Sequence, residues 1–221
     1  MIPPLFYNKV ELESLKAMGP GYYLFDHEAV IDKFRSNATK HSIIHFATHA
    51  ISSTVDGLNS RIYLNDGNGE PAYITADDIG RQTLNADLVT LSACETGGGS
   101  QNILEGTIGL TKAFLAAGAR SVVASNWAVD DFATAELMQY FYAALRQGKT
   151  PDRALQDARR EYLTKHPDAH PAKWAAFEAY GGMVAPQWAE AKPWYQSFWP
   201  YLAGFLLLLL GGVTYKRRNY A

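Results

Sequence analysis

The sequence predicts an α/β layered domain built on a mainly parallel sheet, and three observations carry that reading. Short apolar runs at residues 42–48 (SIIHFAT), 86–93 (ADLVTLSA) and 121–129 (SVVASNWAV) are separated by segments of helical periodicity. Strand, crossover helix, strand is the order that generates a parallel sheet. The runs are mostly apolar throughout, as expected of strands covered on both faces. The third observation is size: 221 residues, 48% hydrophobic and 13% aromatic, suffice for a sizeable core in one domain or two.

The elements follow in chain order. Val10, Leu12, Leu15 and Met18 recur at helical spacing over residues 8–18, and Gly19-Pro20-Gly21 ends that helix. Residues 22–25 read as a strand, and 28–37 as a helix with Ala29, Val30 and Phe34 inward. After the 42–48 strand, Asn65-Asp66-Gly67-Asn68-Gly69 separates two strand-like runs and predicts a β-hairpin. Thr75 then caps a short helix. Residues 96–102 form a glycine-rich loop, and 104–117 a helix with Ile108, Leu110, Phe114 and Leu115 inward, closed by Gly118. Helices over 130–147 and 152–165 come next, the second opened by Thr150-Pro151. Residues 174–180 close the domain.

Composition excludes several function classes. A formal net charge of −2 with 19% charged residues gives no basic surface for nucleic acid and no acidic disordered tail. One cysteine excludes an internal disulfide framework and the usual Cys-based zinc sites. It is compatible with a reducing compartment. The N-terminus lacks a basic region followed by an apolar one, so no signal peptide is read there.

The C-terminus carries a different signal. No charge interrupts residues 193–215, whose centre is LAGFLLLLLGGV (202–213). Trp194, Tyr195, Trp199 and Tyr201 flank it on one side, and Tyr215 with Lys216-Arg217-Arg218 on the other. Aromatic ends and a basic stop around an apolar run predict a transmembrane helix over 198–215, after a linker at 183–197 and before a basic tail at 216–221. The expectation is a single-pass membrane protein with its globular domain on the cytoplasmic side. A basic tail after the span also fits the reverse orientation, and the chain reads equally as a piece of something longer.

Two reactive side chains fall at strand ends, where open parallel sheets place ligands. His49 follows the 42–48 strand and Cys94 follows the 86–93 strand. If those strands are neighbours, imidazole and thiol emerge at one edge, and the histidine supplies the base that a thiolate nucleophile needs. His45 and His49 also stand four apart, but on a strand that spacing separates them by about 13 Å, so no metal site is read there. The Thr96–Ser100 glycines lack the Lys-Ser/Thr of a phosphate loop. No metal and no cofactor is expected.

His45-Phe46-Ala47-Thr48-His49 and Leu91-Ser92-Ala93-Cys94-Glu95-Thr96-Gly97 resemble the two signature motifs of CHAT domains. These are caspase- and separase-like cysteine peptidases of bacteria and archaea, often joined to tetratricopeptide repeats. Further motifs agree in order: Glu105-Gly106, the run from Ala113 to Ala119, Ser121 to Ser125 with Trp127, Val129-Asp130-Asp131, and Trp174-Ala175-Ala176-Phe177. The resemblance covers residues 3–182. It implies a caspase-like three-layer sandwich in which Cys94 is the nucleophile and His49 the acid/base. The backbone N–H groups of Ala50 and Cys94 would form the oxyanion hole. Asn126, Trp127, Asp130 and Asp131 would line a substrate pocket, the two aspartates favouring a basic residue before the cut or serving only as helix caps.

Three departures stand out. Ala50 replaces the usual glycine after the catalytic histidine, Asn126 replaces an apolar residue, and an apolar strand usually found ahead of Pro3-Pro4-Leu5 is not in the chain. The last predicts a sheet with one strand fewer, or a longer protein of which this is the C-terminal part. The functional expectation is a membrane-anchored cysteine endopeptidase acting on a partner protein, with a regulatory partner or an upstream repeat region. Its alternative is a catalytically silent caspase-like module that signals by binding. A glutamine amidotransferase fits less well, because Ser92-Ala93-Cys94-Glu95-Thr96 lacks the glycines of a nucleophile elbow.

Overall fold

A computed structural model describes residues 5–51, 53, 56–68, 70–92 and 103–188, with side chains from 108 onward in the last stretch. The chain divides into two compact units, Met1–Trp188 and Ala189–Ala221, and every described element belongs to the first. The expected span at 198–215 and the basic tail lie outside the described residues. Among the described residues, no helix is long and apolar enough to cross a membrane.

The elements run α1 (Asn8–Met18), α2 (Ile31–Asn37), β1 (Ile43–Phe46), β2 (Ala50–Ile51), β3 (Arg61–Asn65), β4 (Pro71–Thr75) and α3 (Ala76–Gly80). They continue with β5 (Leu88–Leu91), α4 (Ile103–Ala116), β6 (Ser121–Ser125), α5 (Asp131–Leu145), α6 (Pro151–Lys165) and β7 (Phe177–Gly181). Four strands form the main sheet in the order β1-β5-β6-β7. Its first three strands are parallel and β7 is antiparallel. A smaller antiparallel sheet, β2-β3-β4, carries the predicted hairpin.

Alternation along the strands builds two cores, one on each face of the main sheet. Val89, Leu91, Val122 and Ala124 pack with Phe34 of α2, Ile79 of α3 and Phe114 of α4. Leu88 and Val123 pack instead with Leu15 of α1, Leu137 and Phe141 of α5, and Leu155 of α6. The result is helices, sheet, helices: the mainly parallel three-layer α/β arrangement that the sequence predicts.

Local chemistry explains several boundaries. Thr75 caps α3 in a reciprocal box, its hydroxyl accepting from the Asp78 N–H at 3.1 Å while Asp78 Oδ2 accepts from the Thr75 N–H at 3.1 Å. Gly118 ends α4 at φ +111°, and a Cβ there would stand 2.5 Å from the Leu84 carbonyl oxygen. Residues 22–25 form no strand. The Tyr23 hydroxyl donates back to the carbonyls of Leu15 (3.2 Å) and Gly19 (3.0 Å), wrapping this stretch around the end of α1 instead of into a ladder. A 3-10 turn at Asp26–Glu28 delays α2 to Ile31. The inward faces also shift: Val10 is 50% and Ile108 39% exposed, and the buried stripe of α1 is Glu11 and Leu15.

Candidate active site

β1 and β5 are paired and parallel, with Phe46 opposite Leu91. The pairing persists to the last described residue after β5: the Ser92 N–H donates to the Phe46 carbonyl at 3.1 Å. The segments that follow the two strands therefore leave the sheet at one edge, the condition on which the His49–Cys94 reading depends. Cys94 and residues 95–102 lie outside the described residues, as does the glycine-rich loop expected there.

His49 itself is described, and its backbone is stitched in place. The His49 carbonyl accepts the Tyr63 N–H at 2.8 Å, and the Thr48 hydroxyl donates to the Tyr63 carbonyl at 2.8 Å. Asn8 of α1 reaches the Ala47 carbonyl from the other side at 3.4 Å. The Tyr63–His49 bond makes Ala50 and Ile62 a non-hydrogen-bonded pair, so the Ala50 N–H points away from β3.

Asp131, at the start of α5, senses His49 electrostatically. Burial pushes its carboxyl above the ordinary carboxylate value; a hydrogen bond from the Phe6 N–H (3.2 Å) and the charge of His49 act the other way. Asp130 is spent locally, its carboxylate accepting the Ala133 N–H at 3.0 Å as the helix cap. Asn126 and Trp127 stand after β6, at the same end of the sheet but two strands from β1, about 10 Å across. Both are tied toward the chain's return: Asn126 Oδ1 accepts from the Tyr180 hydroxyl at 2.8 Å, and the Trp127 indole donates to the Ala172 carbonyl at 2.9 Å. Among the described residues, no group of three or more His, Cys, Asp and Glu could hold a metal.

A family model described as CHAT domain matches residues 1–182. The chain belongs to the CHAT domain family. That family lies within the caspase-like cysteine peptidases, with which the mixed α/β architecture agrees. The chain is also similar to tetratricopeptide repeat protein 28 of mouse, 32% identical over 111 residues, and to its human counterpart, 34% identical over 111 residues. Each match covers 50% of this chain and 4% of the relative, so the chain spans a small fraction of the proteins it resembles.

This CHAT domain treats its two motif histidines differently. His45 has a side chain only 8% exposed, with Glu11 Oε1 at 2.8 Å from Nε2, Ser92 Oγ at 3.3 Å from Nε2 and the Tyr142 hydroxyl at 2.9 Å from Nδ1. Tyr142 in turn donates to Thr90 Oγ1 at 2.9 Å. Both ring nitrogens of His45 are thus engaged in the interior, whereas His49 is half-buried beyond the strand end. Sequence reasoning singled out neither Glu11 nor Tyr142. The signal was present: Glu11 sits four residues before Leu15, on the stripe that α1 turns inward.

Proposed function

We propose that this chain is a cysteine endopeptidase in which Cys94 and His49 form a catalytic dyad. The reading rests chiefly on β1 and β5 being paired and parallel, so that the segments bearing the two residues leave the sheet at one edge. In the reaction the Cys94 thiolate adds to the scissile carbonyl carbon, and the Ala50 and Cys94 N–H groups receive the oxyanion. Collapse of the tetrahedral species breaks the C–N bond, and the leaving amine takes a proton from His49. Water then attacks the thioester, giving its proton to His49, and the freed acid departs as the thiolate reforms. Asp131, at the start of α5, reads a basic residue before the cut.

Residues 198–215 anchor the protein in a membrane, with the peptidase domain on the cytoplasmic side. The relatives are named for tetratricopeptide repeats, and we infer an upstream repeat region or a separate repeat protein as the regulatory partner.

The test exploits the single cysteine. Iodoacetamide should alkylate it with a pH–rate inflection below the ordinary thiol value of about 8.5. His49→Ala should move the inflection up, and Cys94→Ala should abolish cleavage of a partner protein with the fold intact. Slow alkylation, insensitive to His49→Ala, would instead identify a silent binding module.

A further inference from the structure

The interior cluster below the end of β1 joins α1, β1, α5 and the end of β5. Glu11 projects from the first turn of α1, where the helix dipole favours a carboxylate. The residue is 3% exposed. Its Oε1 receives no aligned hydrogen bond, although His45 Nε2 is only 2.8 Å away. The contact buries a carboxyl group against an imidazole, an arrangement that costs solvation and is weak as a source of stability alone.

Ser92 Oγ donates to the Phe46 carbonyl at 3.1 Å and lies 3.3 Å from the ring Nε2. Tyr142 donates to Thr90, and its hydroxyl lies 2.9 Å from the ring Nδ1. Both ring nitrogens therefore meet hydroxyl groups, with the Glu11 carboxylate beside Nε2. Burial holds the Tyr142 hydroxyl well above its ordinary value, so it stays a neutral donor and acceptor.

The same helix reaches the rim twice more, through Asn8 to the Ala47 carbonyl and through the Phe6 N–H just ahead of it to Asp131. One element thus bears on β1 just before His49, on the start of α5, and, through His45, on Ser92. Ser92 stands two residues before Cys94 in the chain.

We propose that His45, clasped by Glu11 and Tyr142, is a positioning residue for the dyad: through the Ser92 hydroxyl it holds the end of β5, two residues before Cys94 in the chain, against the end of β1, three residues before His49. This rests on the dyad reading above. It assigns the first histidine of the motif a task distinct from proton transfer: it orders the nucleophile's approach.

The experiment is the iodoacetamide pH–rate profile of the full chain and five variants, with a thermal melt of each. Ser92→Ala should remain folded, alkylate about tenfold more slowly at pH 7, and shift the inflection up by about one unit. Ser92→Thr, which keeps the hydroxyl, should restore the parent profile. His45→Gln should reproduce the Ser92→Ala shift, and the double variant should go no further. A folded Ser92→Ala protein with the parent profile overturns the proposal while leaving the dyad intact. A parent profile already at the ordinary thiol value and unmoved by His49→Ala removes the dyad, and this proposal with it. Because losing one partner of a buried pair can unfold the domain, the decision falls on the two Ser92 variants.

Discussion

Asp131 carries opposed influences whose balance fixes how it responds to substitution. Burial is the largest, and it raises the carboxyl above its unfolded value despite the Phe6 hydrogen bond and the attraction of His49. An acid raised on folding holds its proton better in the folded state. The cost of its charge is therefore fully present above the folded value and absent below the unfolded one. Asp131→Asn should raise the melting temperature at pH 7 by about one or two degrees. That gain should disappear as the pH falls through the carboxylate range. Melts at pH 7 and pH 4 check it; an equal gain at both would mean that the charge is not what is being relieved. If Asp131 also reads a basic residue in the substrate, the same variant trades recognition for stability.

Among the elements, α3 has the sharpest local signature and the clearest sensitivity. The Thr75 hydroxyl and N–H hold the Asp78 carboxyl below its ordinary range. A depressed acid contributes stability that is present above its unfolded value and is lost as pH falls through the folded one. Thr75→Ala should cost about 1 kcal/mol at pH 7, and the difference from the parent should shrink in acid; urea titrations at both pH values measure it. This helix was legible from Thr75 and the aspartates alone, as were the hairpin from its Asn-Asp-Gly turn and α6 from Thr150-Pro151. The 22–25 strand was misread because tyrosine and phenylalanine suit strands, while the deciding interaction is one hydroxyl reaching back to α1. At the site, strand-end logic found His49 but not Glu11 or Tyr142. Periodicity counts apolar residues, and both of these are polar groups made interior by partners distant in sequence.

At the scale of the whole molecule, the family match ends at residue 182 but the compact unit continues to Trp188. The extra residues make specific contacts. The Gln187 N–H donates to Asp87 Oδ2 at 3.0 Å, its carbonyl accepts from the Ser42 hydroxyl at 2.5 Å, and the Trp188 ring meets Tyr142 edge-on at 6.1 Å between centroids. A chain ending at Trp188 should melt cooperatively, and if the proposed anchor at 198–215 is right it should stay in the supernatant of a membrane pelleting assay in which the full chain sediments. One ending at Gly182 should be less stable by on the order of 2 kcal/mol, from lost apolar burial and two hydrogen bonds. Equal melting of the two would show the strap to be idle. Ser42 and Asp87 stand where β1 and β5 begin, and His49 and Ser92 where those strands finish. A linker or surface-capture handle grafted after Trp188 would thus be rooted at the sheet's far pole, and a bulky protein approaching His49 would meet the rim with the full strand length between itself and that root.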